Sequence, residues 1–244
     1  MKANKQEIVS QLRKQMLEMQ GFKPVTSGDA LQFGLDAIEL CFPNSIFPLG
    51  TIHEFLSEKP EDTAASEGFI SGLLGKMMEC GSACLWISRN RKLFPPSMQA
   101  FGVNPQQVIF IDLTYEKEIL WAMEEALKCE GLACVIAELS DIDFAQSRRL
   151  QLATEKSCVT GILLRKEPKR SLSATACTVR WQIKPLPTAF GTDIPGVGYP
   201  RWEVNLLKVK NGHTGKFLIE WAEDHFASFE QHTELFVPHT KQVS

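Results

Sequence analysis

The chain alternates between short, continuously apolar runs and longer stretches in which apolar residues recur with helical spacing. The continuous runs predict buried strands at 51–56, 84–88, 108–112, 133–137 and 159–164. The periodic stretches predict helices at about 64–80, 114–129 and 143–156. Strands that are apolar on both sides and separated by helices indicate a mostly parallel sheet with helices on both faces.

The pattern changes after residue 164, where only strands are predicted. They lie at 175–183, 202–209 and 216–221, and loops rich in proline and glycine join them. We therefore expect an α/β fold in which an antiparallel C-terminal extension continues the parallel sheet. The domain organisation that follows is an N-terminal polar helix and linker (1–34), a core (35–221) and a C-terminal tail (222–244).

Composition narrows the class of protein without naming a function. The 244 residues are 44% hydrophobic and 23% charged, which is typical of a globular domain. The longest apolar runs are too short to span a bilayer, and the N-terminus has no apolar segment of signal-peptide length. The seven cysteines form no C-x-x-C pair, so we expect no disulfide framework and no zinc site. These features predict a cytoplasmic protein without membrane contact, metal or cofactor.

Charge is distributed unevenly along the chain. The formal net charge is −3, yet residues 146–184 alone carry +7. The basic residues of this segment are Arg148, Arg149, Lys156, Arg165, Lys166, Lys169, Arg170, Arg180 and Lys184. A local basic field on an acidic protein steers a polyanion to one face.

Several strings resemble the RecA-like recombinase core. Residues 35–55 contain LDAIEL and FPLGTIHEF, which are similar to the lead-in to the phosphate loop of that family, and VNLLKVKNGHTGKFLIEW (204–221) is similar to its closing hairpin. Within this superfamily the chain resembles the ImuA family. The strings that carry this resemblance are FPPSMQAFGVNPQQVIFI, WAMEEALKCEGLACVIAEL, SRRLQLATEKS and PRWEVNLLKVKNG. The similarity as a whole covers roughly residues 35–221.

The resemblance implies a role and partners that the residues alone do not provide. ImuA proteins are RecA-related members of the SOS-induced mutagenesis cassette, which serves translesion synthesis, DNA repair and DNA damage tolerance. Membership implies contacts with the polymerase-like protein ImuB and with RecA, DNA as a further partner, and a nucleoid-associated location in the cytoplasm. An alternative in the same superfamily is a cell-division inhibitor like SulA, which also has a RecA-derived fold without a phosphate loop.

The region that should bind nucleotide departs from the RecA-like pattern. A phosphate loop needs glycines, a lysine and a Ser/Thr directly after Glu54, whereas FLSEKPEDTAASEG follows, with no glycine before Gly68. Lys59 and Thr63 are the nearest substitutes, but acidic residues surround them. Glu138 occupies the place of the magnesium-side carboxylate, and the second core strand ends in RNR where a catalytic acid is required. We therefore expect a degenerate nucleotide site and no ATPase activity.

Two other regions are candidate binding sites. In the RecA-like core the loop after strand 159–164 contacts DNA, and here that loop reads RKEPKRSLSATA. The candidate DNA-binding residues are Arg165, Lys166, Lys169 and Arg170, extended by Arg148 and Arg149 on the preceding helix. No aromatic residue interleaves with this loop, so base stacking is not expected there. In the tail, Leu235 and Phe236 form a candidate docking peptide for a partner protein.

Overall fold

The computed structural model describes residues 31–79, 81–168, 174–188 and 198–229. The predicted N-terminal helix lies outside these residues, as do the tail beyond residue 229 and the interior of the two loops around residues 171 and 193. None of the described helices is long and apolar enough to cross a membrane.

One nine-stranded sheet organises the described residues. Its strands are β1 (Ile52–Ser57), β2 (Ala83–Ser88), β3 (Val108–Asp112), β4 (Leu132–Leu139), β5 (Thr160–Lys166), β6 (Val179–Leu186), β7 (Arg201–Val209), β8 (Gly215–Ala222) and β9 (His225–Ser228). The α-helices are α1 (Pro60–Met77), α2 (Glu116–Ala126) and α3 (Phe144–Ser157). Short 3-10 helices lie at Asp36–Cys41, Pro43–Ser45, Pro95–Phe101 and Pro105–Gln107.

The sheet has a parallel half and an antiparallel half. The strand order is β3-β2-β4-β5-β1-β6-β7-β8-β9. Strands β1 to β5 pair in parallel, β6 joins β1 in parallel, and β6 to β9 pair antiparallel. This arrangement confirms the predicted fold class. Because the carboxyl ends of parallel strands meet at one edge of the sheet, the loops after β1, β2, β3, β4 and β5 share that edge. We call it the carboxyl edge.

Each face of the sheet has its own apolar core. Helix α1 covers one face, where Phe69 packs among the rings of Trp181, Trp202 and Phe226. Helices α2 and α3 cover the other face over the parallel strands, with Met123 and Leu150 buried against it. Successive side chains of a strand therefore point to opposite cores, and this alternation decides which side of the carboxyl edge each polar residue reaches.

The sheet continues beyond the predicted start of the tail at residue 222. Strand β9 pairs with β8, and its Phe226 is buried against α1. Gly72 of α1 makes this close approach possible, because a Cβ there would lie 2.6 Å from the Phe226 ring and 2.9 Å from the Trp221 ring. A single buried aromatic in a polar segment gave too weak a pattern to predict this strand. Upstream, Phe33 is also buried, so the packed core begins before residue 35.

Candidate functional site

The connection between β1 and α1 is shorter than the sequence predicted. Strand β1 ends at Ser57 and α1 begins at Pro60, so only two residues join them. The predicted helix start near residue 64 is wrong because Pro60 is well suited to the first helical position. The carboxylate of Asp62 accepts the backbone N–H of Lys59 at 3.2 Å, and Thr63 Oγ1 donates to the Lys59 carbonyl oxygen at 3.3 Å. Lys59 and Thr63 therefore form the capped start of a helix.

A lysine lies between two carboxylates on the α1 side of the carboxyl edge. We call Glu67, Glu138, Lys166 and Trp86 the lysine cluster. The ammonium nitrogen of Lys166 is 3.0 Å from Glu67 Oε1 and 2.7 Å from Glu138 Oε2. The other Glu138 oxygen accepts a 2.8 Å hydrogen bond from the Trp86 indole N–H. Glu138, at the predicted magnesium-side position, is thus held by a neighbouring strand on each side.

Burial and charge act against each other in the lysine cluster. Burial raises the pKa of Glu67, and the nearby Lys166 only partly reverses this effect. Burial also lowers the pKa of Lys166, but Glu138 and Glu67 outweigh it, so the pKa of Lys166 is raised. The ammonium group therefore stays charged at neutral pH and is the counter-ion of both carboxylates.

A second ionic group fills the opposite side of the same edge. We call Glu54, Arg165, Arg180, Thr175 and Asp141 the arginine cluster. The side chains of Glu54 and Arg165 are both fully buried, with 2.8 Å between Glu54 Oε1 and Arg165 Nη1. The other Glu54 oxygen lies 2.8 Å from Arg180 Nε and accepts the Thr175 hydroxyl at 2.8 Å. Asp141 pairs with Arg165 Nη2 at 2.7 Å. Every charge in this cluster has a partner of opposite sign.

The predicted exposed placement of Arg165 and Lys166 is wrong. They are the last two residues of β5, and the alternation along the strand sends Arg165 to the buried Glu54 and Lys166 to the lysine cluster. Burying a cation is costly unless a group of opposite charge lies beside it. Glu54 is that group for Arg165, and Glu138 is that group for Lys166. Lys169 and Arg170 lie outside the described residues, as do Leu235 and Phe236.

The two arginines of α3 lie on the helical surface. Both are exposed, and each has a carboxylate partner: Arg148 pairs with Glu155 of the same helix at 3.3 Å, and Arg149 pairs with Glu124 of α2 at 2.6 Å. The structure therefore separates the six candidate DNA-binding residues into two internal ones, two surface ones and two outside the described residues.

The end of β2 is basic, as the sequence predicted. Arg91 pairs with Asp112 at the end of the neighbouring strand β3 at 3.0 Å, and its guanidinium lies 4.8 Å from the centre of the Phe110 ring. Asp112 also accepts the Ser88 hydroxyl at 3.2 Å. The charge of Arg91, after the end of β2, is thus neutralised by a carboxylate at the end of the neighbouring strand.

Sequence reasoning missed five members of these clusters: Glu67, Trp86, Asp141, Thr175 and Arg180. Glu67 lies about two turns into α1 and reaches Lys166 at the end of β5, a contact that the sequence of the helix does not indicate. Arg180 and Thr175 belong to the antiparallel half, and their contacts with Glu54 span 126 and 121 residues. A signal was present for Arg180, since an arginine between two buried apolar residues of a strand needs an acid nearby.

The comparisons with known proteins agree with this architecture. No family model matches the chain. The structure is similar to the crystal structure of the RadB recombinase, with a TM-score of 0.56 and 14% sequence identity over 82% of this chain and 100% of that chain. The fold and its edge therefore define a protein of the RecA-like class.

The sequence places the chain more narrowly within that class. It is 34% identical to Protein ImuA from two strains of Caulobacter vibrioides, over 209 residues that cover 81% of this chain and 86% of each relative. The chain belongs to the ImuA family, as the resemblance in its sequence indicated.

Proposed function

We propose that this chain is a non-catalytic RecA-like accessory protein of SOS-induced, error-prone translesion synthesis. It acts by binding an ImuB-like polymerase protein and RecA, with DNA as a further partner. The observation that carries the non-catalytic part is that the edge where RecA-like proteins bind nucleotide is filled by side chains of the chain itself. Membership of the ImuA family supports the damage-tolerance role.

The β1–α1 connection does not fit a triphosphate. Phosphate binding at a strand-to-helix turn needs a glycine-rich loop whose N–H groups converge on the anion. Here Glu58 and Lys59 are the whole connection, Pro60 has no N–H, and the carboxylate of Asp62 accepts the N–H of Lys59. Glu61 adds a further negative charge at the exposed helix start, and it would repel a polyphosphate.

The lysine cluster does not fit a magnesium ion either. Magnesium needs oxygen ligands that have no competing cation. Both Glu138 oxygens are engaged, one by Lys166 and one by the Trp86 N–H, and Glu67 is paired with the same ammonium group. A divalent ion would have to displace an ammonium group held by two carboxylates.

Nucleotide binding tests the non-catalytic part directly. The full chain is titrated with a fluorescent ATP analogue in the presence and absence of magnesium, with RecA as the positive control. We expect no saturable binding below millimolar concentrations, because the two-residue turn has no glycine-rich loop of converging N–H donors and acidic residues flank Lys59. Micromolar, magnesium-dependent binding would overturn this part of the proposal.

Partner binding tests the damage-tolerance part. The tagged full chain is purified from cells with and without DNA damage, together with the ImuB-like protein and RecA of the same bacterium. We expect at least one of the two to co-purify and damage-induced mutation to fall when the gene is deleted. Absence of both partners together with unchanged mutagenesis would remove the proposal.

The DNA contact now rests on fewer residues than the sequence predicted. Because Arg165 and Lys166 are internally paired, the residues that remain for phosphate contact are Arg148, Arg149, Lys169 and Arg170. Charge reversal at Lys169 and Arg170 should lower DNA affinity and flatten its dependence on salt. An unchanged affinity and salt slope would exclude that loop, and the same reversal at Arg148 and Arg149 would then test the helical surface.

A further inference from the structure

One tryptophan differs from the other four in its surroundings. All five tryptophans lie in the described residues, and Trp86, Trp181, Trp202 and Trp221 are at most 5% exposed. Trp121, on α2, is 64% exposed. A tryptophan in water leaves a large apolar surface uncovered, and tryptophan is the residue type most enriched where binding energy is concentrated in protein interfaces.

A groove lies between α3 and the C-terminal end of α2, the helix that carries Trp121. Its volume is about 430 Å³, and its lining residues are Glu124, Lys128, Glu130, Arg149, Leu152, Ala153, Lys156 and Ser157. Trp121 precedes Glu124 by three residues on α2, which puts both on one helix face and extends the groove by one turn. On the α3 side Leu152 is 49% exposed, so an apolar strip runs along the groove. We call this surface, with Trp121, the helical groove.

Three basic and two acidic residues line the groove, and the two cations on its α3 wall favour an acidic partner there. Arg149 is paired with Glu124, but its side chain is still 64% exposed, so it remains open to a second carboxylate. Lys156 has no ion-pair partner in the part of the chain that the structure describes. Arg149 and Lys156 are seven residues apart on α3, which is two helical turns, and Leu152 lies between them on the same face. The α3 wall thus presents one cation on each side of an apolar residue.

We propose that the helical groove binds an amphipathic helix of a partner protein. The helix places an apolar side chain against Trp121 and Leu152, and carboxylates two turns apart against Arg149 and Lys156. Two neighbouring helices with an apolar strip between charged rims form the kind of surface that accepts such a helix. This inference rests on the proposed function, since it supplies the surface through which the protein associates.

The accessibility of Trp121 provides the first test. Acrylamide quenching of tryptophan fluorescence in the free full-length chain should show one accessible component that disappears in Trp121→Phe. Saturating ImuB-like protein, with its own tryptophans replaced, should shield that component. If Trp121 is already shielded in the free chain, a segment of this chain occupies the groove and the proposal is wrong.

Affinity measurements provide the second test, with matched controls. Trp121→Ala, Leu152→Asp and Lys156→Glu should each weaken binding of the ImuB-like protein at least tenfold, and the charge change should matter less at high salt. Leu40→Ala, at another exposed apolar residue (68% exposed), and Lys76→Glu, on α1, should leave affinity unchanged. Circular dichroism confirms that each variant is folded.

The outcomes separate this inference from the proposed function. If the wild-type chain binds neither the ImuB-like protein nor RecA, the proposed function fails. If the wild type binds and the three groove variants bind equally well, the partner uses another surface and this inference alone is wrong. Equal losses from the groove variants and from Leu40→Ala would also overturn it, because a specific groove contact predicts no effect at Leu40.

Discussion

The carboxyl edge of the sheet and the helical groove both carry charges of both signs, but they use them differently. At the edge, Glu54 and Arg165 are fully buried and neutralise each other, and Lys166 neutralises two carboxylates at once. In the groove, the Arg149 side chain stays 64% exposed despite its ion pair with Glu124, and Trp121, three residues before Glu124 on α2, is 64% exposed as well. At the edge the charged side chains are paired with one another inside the protein, whereas the groove leaves charged and apolar side chains exposed to solvent.

This difference bears on which of the two regions is suited to binding a second molecule. A ligand site requires groups whose best partner is the ligand, and an internally paired cluster offers no such group. Covering an exposed apolar strip with a second molecule is favourable, because it removes apolar surface from water while the charged rims can form ion pairs. The proposed absence of nucleotide chemistry and the proposed association surface thus rest on the same contrast between paired and exposed charges.

The largest expected effect comes from breaking the arginine cluster. Glu54→Ala leaves Arg165 and Arg180 without their shared carboxylate, and we expect a loss of about 3–5 kcal/mol in the free energy of unfolding. Urea denaturation measures it. The control is Glu79→Ala, which removes the partner of Lys76 in an exposed pair and should cost less than about 1 kcal/mol. Equal losses of unfolding free energy in the two variants would show that burial does not decide how much these ion pairs contribute to stability.

Acid should destabilise the protein through a histidine next to this cluster in β1. His53 accepts the Trp181 indole N–H at its Nδ1 atom, 3.1 Å away, and its Nε2 lies 2.8 Å from the Pro48 carbonyl oxygen. Only the neutral ring satisfies both contacts, because a protonated Nδ1 would face a donor. Burial accordingly lowers the pKa of His53 to about 4, and the hydrogen bond to Pro48 only partly offsets this.

The sign of the effect follows from that lowered pKa. Stability is fully present above pH 6.5, the ordinary value, and is lost as the pH falls from 6.5 through about 4. We expect a loss of about 3 kcal/mol over this window, measured by urea denaturation at several pH values. His53→Gln should remove this component of the pH dependence. An NMR titration of the ring with a midpoint near 6.5 would contradict the prediction.

The lysine cluster should show a smaller effect with the opposite dependence on pH. The pKa of Glu67 is raised by burial and partly restored by Lys166, so its contribution to stability declines as the pH rises above 4.5. In Lys166→Met the pKa of Glu67 should rise further, and the loss between pH 5 and pH 8 should increase by about 1–2 kcal/mol. Lys92→Met is the matched control, because Lys92 is exposed and affects Glu67 least. A pH profile unchanged from wild type would show that Lys166 does not neutralise Glu67.

The smallest expected effect on folding is in the helical groove. Trp121→Ala should change the free energy of unfolding by no more than about 0.5 kcal/mol, because the side chain is largely in water. The same substitution should weaken partner binding at least tenfold. Urea denaturation and a binding titration on one protein sample measure both quantities. A large loss of stability would mean that Trp121 belongs to the fold, and the contrast between the two regions would then disappear.

The sequence predicted the parallel strands closely but misjudged how they end. Strands β2 and β3 were predicted within one residue at each end, because a continuous apolar run signals burial on both faces. The prediction stopped β5 at Leu164, although the strand continues through Arg165 and Lys166. A basic residue after an apolar run is typical of a solvated loop, so local sequence favoured the wrong placement. The acid that pairs with Arg165 is 111 residues away.

What the sequence determined by itself is the order of elements, the two-sided burial of the strands and the acidic, glycine-free character of the segment between Glu54 and Gly68. These are local properties, fixed by hydrophobic period, by the absence of glycine and by the charge of neighbouring residues. Only the tertiary structure decided which cations are internal and which side chains remain exposed. Ion pairing and burial depend on distances between residues far apart in the chain. For this reason the sequence predicted Arg165 to be a DNA contact, whereas the structure places it in the core at the end of β5.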